Sequence, residues 1–324
     1  MIPRSIPRLL ALLLTLLLPW TAARAEWPER PMRLVVGVAP GGPADLSARL
    51  IAERIGETLK QPMIVENRPG SNGQIAIQAV MSAPADGYTV LLGTTGAMTI
   101  SPAVLKSLRY DPLRDFIPVG SVVSYTYLLV TRNAIPVNSM QEFIAYAKAN
   151  PGKLTYTSPG IATVNHMGME HFSSQTGIKM VHVPYKGDSE ALADVLAGHV
   201  DCGFISFSLT APQAKGGKLR ALAVSQPTRH PITPDIPTVR EAGLAGFDLL
   251  PWTGLMVTTG TPPEVVTKLS AAITEGLKHP AFIKRIDELG YLAMPSTPAS
   301  FKKMIEEEQA RWRKVAEEVN LKLD

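Results

Sequence analysis

The stretch Leu34-Val35-Val36-Gly37-Val38-Ala39-Pro40-Gly41-Gly42-Pro43-Ala44-Asp45-Leu46 decides the fold of this chain. An apolar run typical of a buried strand meets a Pro-Gly-Gly turn, and a helical spacing of apolar residues begins at Asp45. We expect the Asp45 carboxylate to cap that helix by accepting hydrogen bonds from its first free amides. Glycines let a ligand approach the backbone, and amides at a helix start attract anions. The stretch therefore predicts either an anion-binding loop or only a tight strand-to-helix turn.

The first 25 residues have the pattern of a secretory signal peptide. Arg4 and Arg8 supply the positive start, and Leu9 to Leu18 form an apolar segment too short to span a bilayer. Ala23-Arg24-Ala25 fits a cleavage site, so we expect a periplasmic product that begins at Glu26. An uncleaved membrane anchor is the alternative.

The charge and length of the mature part favour a two-domain protein without affinity for nucleic acid. The signal segment carries three of the four net positive charges, which leaves 29 basic against 28 acidic residues and no basic run. The remaining 299 residues (324 minus 25) are enough for two domains. Cys202 is the only cysteine and lies in an apolar run, so a buried inert thiol is favoured over a nucleophile.

Strand-like and helix-like segments alternate along the whole chain, which indicates an α/β fold with mostly parallel sheets flanked by helices. Two similar series each contain a strand, a loop of small residues and a helix; the loops are 38–42 and 157–161. We expect one lobe from 26–122 plus 249–324 and a second lobe from 123–248, joined by extended stretches near 116–131 and 249–257. Loops at the carboxyl ends of parallel strands bind ligands, so the two lobes would enclose a binding cleft.

Patterns typical of enzymes and metal sites are absent from the sequence. There is no Gly-x-Ser-x-Gly elbow, phosphate loop or Gly-x-Gly-x-x-Gly fingerprint. His166, Glu170 and His171 do not have the spacing of a zinc motif, and the acidic pairs of 300–319 fit the solvated face of an amphipathic helix. We therefore expect no enzyme activity, no metal and no cofactor.

Seven segments, in this order along the chain, resemble the extracytoplasmic receptors of the tripartite tricarboxylate transporters, the Bug (Bordetella uptake gene) family. Each segment alone is weakly specific, but together they are highly specific and cover nearly all of the mature chain. They are Pro40-Gly41-Gly42 with Asp45 and Arg49; Val65-Glu66-Asn67-Arg68-Pro69-Gly70 with Gly73; Ala85-Asp86-Gly87-Tyr88-Thr89; Asp115-Phe116-Ile117-Pro118; His182-Val183-Pro184-Tyr185-Lys186-Gly187; Gly217-Lys218-Leu219-Arg220-Ala221-Leu222-Ala223; and Ile236-Pro237-Thr238-Val239 with Glu241-Ala242-Gly243.

The resemblance implies a two-lobed periplasmic binding protein, a Venus flytrap, that closes on a small carboxylate. It also implies delivery of this organic acid to the membrane permease subunits of a tripartite transporter, and we expect the receptor to be a monomer. Loop amides and small hydroxyl side chains would hold the carboxylate. Carried over by position, the first-lobe contacts are Ala39, Pro40, Gly41, Gly42, Asp45, Thr94 and Thr95, and the second-lobe contacts are Ser158, Gly160, Thr163, His166 and Ser206.

Two departures from the family pattern affect the choice of ligand. The second-lobe loop reads Gly160-Ile161-Ala162-Thr163, where family members often have Gly-x-Gly-Ser/Thr, and Ile205-Ser206 stands where the family often has Asp-Asn. Both favour an acid less polar than citrate.

Alternative roles remain open for several of these residues and for the protein. Asp45 could only cap its helix, Thr94 and Thr95 could only satisfy strand ends, and His166 could be a surface cap. A role as the binding partner of a sensor is an alternative function, and an exported α/β enzyme is a further one.

Overall fold

The computed structural model describes residues 26–321, which form two β-sheets flanked by helices. The expected signal peptide, residues 1–25, lies outside the described residues. Between residues 26 and 321, no helix has both the length and the apolar character needed to cross a lipid bilayer.

Eleven strands are present in the described part of the chain. They are β1 (Met32–Val36), β2 (Met63–Asn67), β3 (Thr89–Thr94), β4 (Phe116–Tyr125), β5 (Tyr127–Thr131), β6 (Thr155–Ser158), β7 (Val181–Pro184), β8 (Cys202–Ser206), β9 (Arg220–Val224), β10 (Trp252–Thr258) and β11 (Tyr291–Ala293).

Ten α-helices lie between and after these strands in residues 26–321. They are α1 (Pro43–Leu59), α2 (Gln74–Met81), α3 (Ser101–Val104), α4 (Met140–Ala149), α5 (Val164–Thr176), α6 (Asp188–Ala197), α7 (Phe207–Lys215), α8 (Pro263–Lys278), α9 (Pro280–Leu289) and α10 (Pro298–Glu318). A 3-10 turn (Ser71–Gly73) precedes α2, and a π-helical turn (Gly96–Ile100) precedes α3.

The two sheets are mixed rather than mostly parallel. The first has the order β11-β4-β10-β3-β1-β2, and the second has the order β7-β6-β8-β5-β9. The pairs β1–β2, β1–β3, β6–β7 and β6–β8 are parallel, as the alternating pattern predicts. The remaining pairs, each of which includes β4, β5 or β10, are antiparallel. The two-lobed α/β architecture expected from the sequence is confirmed.

The chain passes between the sheets at two places. Strand β4 ends in the first sheet at Tyr125, and β5 begins in the second sheet at Tyr127, so Thr126 alone separates them. The return follows β9, and β10 enters the first sheet at Trp252. The carboxyl ends of β1, β3, β6 and β8 therefore carry the loops that face the space between the sheets.

Apolar side chains on both faces of the sheets explain why these segments form buried strands. Leu34 and Val36 of β1 are fully buried against Ile51 and Ile55 of α1. On the opposite face Val35 packs with Ala76 and other residues of α2. Burial on both sides is what the continuous apolar run of β1 predicts.

The cap that the sequence predicts for α1 differs from the structure. Helix α1 begins at Pro43, with Gly42 as its N-cap, because proline at the first helical position has its backbone already set for a helix. Asp45 is therefore inside the first turn and does not cap the helix. At α4 the Ser139 hydroxyl caps the helix by accepting from the Glu142 amide, and the Glu142 carboxylate accepts from the Asn138 amide.

Candidate functional site

The first-lobe loop between β1 and α1 has the geometry of an anion-binding turn. Gly41 has φ +86°, a left-handed conformation that favours glycine, and Gly42 is extended with φ −82°. No acceptor from residues 26–321 bonds the amides of Gly42, Ala44 and Asp45. These amides stand at the positive end of the α1 dipole, so they are free to receive a negatively charged group.

Asp45 shapes this loop from within the protein. Its carboxylate is buried and accepts hydrogen bonds from the Gly41 amide at 2.9 Å, from Asn67 Nδ2 at 2.8 Å and from the Arg49 guanidinium at 3.0 Å. Burial raises the pKa of Asp45, but the bonds from Arg49, Gly41 and Asn67 outweigh it and hold the pKa below its usual value. Asp45 thus fixes the turn, and the Gly41 amide is not available to a ligand because it already donates to Asp45.

The two arginines of the first-lobe family motifs are bound by acidic partners. Arg49 pairs with Asp45 one helical turn away, as its spacing predicts, and it also bonds Asn67. Arg68 pairs with Glu66 at 2.6 Å. Lys186 is exposed to solvent. None of the three is therefore placed as a free charge clamp on an anion.

Thr94 and Thr95 at the end of β3 have different surroundings. The Thr95 hydroxyl is buried, accepts from the Trp252 amide at 2.8 Å and so ties β3 to the start of β10. The Thr94 hydroxyl is half-buried and has only a long bond, 3.4 Å, from the Ala97 amide. Thr94 also lines a cavity of about 20 Å³ behind the loop, shared with Val38 and Asn72, which has room for about one water molecule.

The second-lobe loop between β6 and α5 is held by its own hydroxyl groups. The Thr163 hydroxyl caps α5 by accepting from the His166 amide and donates to the Gly160 carbonyl at 2.7 Å. The Ser158 hydroxyl receives the Gly160 amide at 3.1 Å and lies 2.6 Å from His182 Nε2. Gly160 has φ +127°, where a larger residue would be strained.

His166 is buried rather than a surface cap. Its ring lies 4.3 Å, between centroids, from that of His182 and stacks on Tyr156 beyond it. The Nδ1 atom of His166 has no hydrogen-bond partner in the described residues. The pKa of both histidines is lowered to about 4. Burial is the main cause for each, and the neighbouring His166 is a second cause for His182. The imidazoles are therefore neutral near pH 7.

Metal-ligand geometry is absent from this neighbourhood. Glu170 bonds the Tyr156 hydroxyl and His171 stacks on Phe247, so neither converges with His166. In residues 26–321 no cluster of three or more His, Cys, Asp and Glu side chains could hold a metal ion. Cys202 is buried, and burial raises the pKa of its thiol well above the usual value, as expected for an inert cysteine.

Ser206 ends β8 inside the second lobe and is fully buried. The Ser206 hydroxyl forms no hydrogen bond with any described group. It nevertheless lies near enough to Asp188 to lower the pKa of that carboxyl. Asn165, in the first turn of α5, donates to the Phe204 carbonyl at 2.7 Å and to Asp188 at 3.1 Å. The ends of β8, α5 and α6 therefore meet at one point.

The two lobes touch around these loops. Asn72 Nδ2 of the first lobe donates to the Ala162 carbonyl of the second lobe at 2.8 Å. A Cβ atom at Gly187 would lie 3.8 Å from that of Ala39. The structure thus brings the 38–42 loop and the 158–163 loop to the contact between the two lobes. Sequence reasoning did not single out Asn72, Asn165, His182 and Asp188 as site residues, because only the folded chain brings them close to these loops.

Comparison with known proteins agrees with this geometry. The family model of the tripartite tricarboxylate transporter family receptor matches residues 47–321. Protein BugT of Bordetella pertussis is 32% identical over 92% of this chain and 91% of its own length.

Solved structures of similar sequence share the fold. Rpa4515 of R. palustris with adipate has a TM-score of 0.88 and 34% identity, over 92% of this chain and 99% of its own. MatC (Rpa3494) from Rhodopseudomonas palustris with bound malate has a TM-score of 0.84 and 33% identity, over 89% and 99%. The periplasmic binding protein BugD has a TM-score of 0.86 and 32% identity, over 91% and 99%.

Proposed function

This chain belongs to the tripartite tricarboxylate transporter receptor family, a family of solute-binding receptors rather than enzymes, and we propose that it captures a small organic acid between its lobes and delivers it to a membrane permease. The receptor works in the periplasm after cleavage of its signal peptide. The adipate and malate bound to the two similar proteins support a carboxylate as ligand.

The observation that carries this proposal is the set of free amides at the start of α1. Gly42, Ala44 and Asp45 offer N–H groups without a protein acceptor, at a helix end that favours negative charge. The neighbouring cations are paired with Asp45 and Glu66, so neutral donors bind the carboxylate. Ala39 and Pro40 of the same turn line the first-lobe side, together with Thr94.

The second lobe closes the site from the opposite side. Ser158, Gly160, Thr163, His166 and Ser206 form or support its surface there. Because the Thr95, Ser158 and Thr163 hydroxyls already bond protein groups, we assign them to holding the loops in shape. We assign 26–122 with 249–324 to one lobe and 123–248 to the other; the change of sheet at Thr126 lies within a few residues of the first of these boundaries.

A thermal-shift screen of the purified mature protein tests the proposal. Di- and tricarboxylates, aromatic acids and amino acids are added singly, and each hit is checked by calorimetry. A true ligand at 100 times its dissociation constant stabilises the fold by about 2.7 kcal/mol. The amide or ester analogue of each hit is the matched control and should bind far more weakly. Equal binding of acid and amide, or no response to any acid, would contradict the proposal.

A role in sensing rather than transport uses the same binding site. An uptake assay distinguishes the two roles. Deletion of the gene should abolish uptake of the identified acid if the protein is a transport receptor. Unchanged uptake together with lost transcriptional response would favour the sensor.

A further inference from the structure

Asp188 is a buried carboxyl group at the boundary between the lobes. It is the first residue of α6 and follows Gly187, whose backbone lies against Ala39 of the first-lobe loop. The side chain is 8% exposed and accepts a hydrogen bond from Asn165 Nδ2 at 3.1 Å. This residue is therefore next to the space where the proposed ligand binds.

The groups around Asp188 are polar but uncharged. Ser206 faces it from the end of β8, and Asn165 faces it from α5. Tyr125 of β4, Tyr127 of β5 and Tyr291 of β11 are near enough to interact electrostatically with it.

No Lys, Arg or His of residues 26–321 forms an ion pair with Asp188, unlike Asp45, which has Arg49. Burial raises the pKa of Asp188 to about 6, although the neighbouring Ser206 and the hydrogen bond from Asn165 lower it in part. At pH 7 Asp188 is thus a buried negative charge without a counter-ion.

This charge makes the two sides of the cleft chemically different. At the start of α1, free amides attract an anion, and the nearby Asp45 charge is balanced by Arg49. At the start of α6, Asp188 itself takes the position that an anion would occupy. A second carboxylate there would meet a like charge in a poorly hydrated space, which is costly. A cation there would relieve an unpaired buried charge.

We propose that Asp188 determines the specificity of this receptor by receiving the ammonium group of the ligand, so that the preferred substrate is an amino acid rather than a dicarboxylate. This inference rests on the proposed function, since the carboxylate of the same molecule occupies the first-lobe loop. Asn165 holds the Asp188 carboxyl by a hydrogen bond, and Ser206 lies beside it.

Matched ligand pairs test this on the wild-type protein. Each pair is a dicarboxylate, from succinate to adipate, and the ω-amino acid in which one carboxylate is replaced by ammonium; α-amino acids complete the set. Calorimetry should show at least tenfold tighter binding of the amino acid at its best chain length. Tighter binding of the dicarboxylate would overturn the inference and leave the proposed function intact. Binding of neither class would also overturn the inference, whereas only the absence of a response to every acid of the thermal-shift screen would contradict the proposed function itself.

Variants then assign the preference to one side chain. Asp188→Asn keeps the shape and removes the charge, so it should weaken amino acid binding at least tenfold and leave dicarboxylate binding equal or tighter. Glu190→Gln removes a charge from the exposed side of the same helix and should change neither. Equal weakening of both ligands by Asp188→Asn would overturn the inference. Asp188→Ser, small enough to fit beside Ser206, gives the same readout if the Asn variant does not fold.

A protonated Asp188 could instead donate a hydrogen bond to a carboxylate of the ligand. The pH dependence of ligand affinity distinguishes this role from the binding of an ammonium group. If Asp188 donates the hydrogen bond, the affinity of the wild type for dicarboxylates would rise as the pH falls through about 6, and that of Asp188→Asn would not. This result would overturn the inference. An amino acid affinity that falls over the same range, as Asp188 becomes neutral, would support it.

Discussion

At the residue scale, the first-lobe loop separates the group that shapes the turn from the groups that bind. Asp45 accepts the Gly41 amide and is itself neutralised by Arg49, so the turn is rigid before any ligand arrives. The amides of Gly42, Ala44 and Asp45 are left for the ligand. Preorganised donors of this kind bind an anion without reorganisation of side chains.

Gly42 provides the most direct test of the amide site. A Cβ atom at this position meets nothing within 4 Å, and φ −82° suits any residue, so the fold tolerates a substitution. We expect Gly42→Val to weaken binding at least tenfold, about 1.4 kcal/mol, because the branched side chain blocks close approach to the backbone. Calorimetry measures the loss, and Gly42→Ala should be intermediate. An unchanged melting temperature is the control, and unchanged affinity in a folded Gly42→Val protein would exclude this loop as the site.

His166 should make the protein less stable in mild acid. Its pKa in the folded state is about 4, below the usual 6.5, so the unfolded chain takes up a proton first. The stability contribution is therefore complete above about pH 6.5 and is lost as the pH falls toward about 4. His182 acts in the same direction, whereas Asp188, with its raised pKa, opposes it below about pH 6.

We expect His166→Phe to keep the ring stacking and to reduce the fall in melting temperature between about pH 7 and about pH 5. Phenylalanine at the exposed His199 is the control and should not change that fall. If His166→Phe loses as much stability over this range as the wild type, the histidine stack does not cause the acid sensitivity.

At the element scale, the strand-loop-helix units at 34–46 and 154–176 could be predicted from apolar patterning and turn residues. The sequence pattern puts the start of α1 at Asp45, a good cap residue, but Pro43 fits the first helical position better. Helix α7 is hard to predict because it contains Pro212 and hydroxyl residues, and β11 is hard to predict because a strand of three residues shows no periodicity. Tertiary contacts determine whether such segments form a helix or a strand.

The two threonines after β3 should give opposite phenotypes. Thr95→Val leaves the buried Trp252 amide without its acceptor, so we expect a loss of about 1–3 kcal/mol in unfolding free energy. Thr94→Val removes a hydroxyl that has only a 3.4 Å bond, so we expect normal stability and weaker ligand binding. Thermal unfolding and calorimetry on both variants provide the comparison, and each is the control for the other.

Cationic side chains near the site should matter less than Thr94. Arg49→Ala, Arg68→Ala and Lys186→Ala are each expected to weaken binding less than Thr94→Val does, because the two arginines are paired and Lys186 is exposed. Affinities measured at one ionic strength make the comparison valid. Abolished binding in one cationic variant, with Thr94→Val tolerated, would replace the amide mechanism by a direct charge clamp.

At the scale of the whole molecule, the cleft depends on how two lobes meet, which no local pattern encodes. The sequence indicated two similar units and the loops that face each other. It could not indicate that Asn72 reaches Ala162 or that Asp188 lies beside Ser206, because these pairs are far apart in the chain and come together only after both sheets have formed. The site is thus predictable as two loops but not as a set of contacts.

Asn72 is the side chain whose hydrogen bond joins the two lobes beside the site. Its Nδ2 donates both to the Ala162 carbonyl and to Ser101 Oγ, at 2.8 Å each. Asn72 and Ala162 both have positive φ, +50° and +59°, so each presents its polar group from a tight turn. Thr126 and the residues before Trp252 are the connections about which the lobes can rotate. The Asn72 bond is therefore expected to stabilise the closed arrangement.

Asn72→Gly keeps the left-handed backbone and removes the amide, so it tests closure without adding strain. A lost hydrogen bond of about 1 kcal/mol lowers the closed population about fivefold, and the affinity should fall by the same factor although Asn72 is not among the proposed ligand contacts. Small-angle scattering should show a smaller radius of gyration for the wild type with saturating ligand than without it. At a ligand concentration that saturates only the wild type, the variant should remain partly open. Asn133→Ala removes a similar bond within the second lobe, to the Gly217 carbonyl, and should leave both measurements unchanged. If Asn72→Gly binds and closes like the wild type, this contact follows closure and does not drive it.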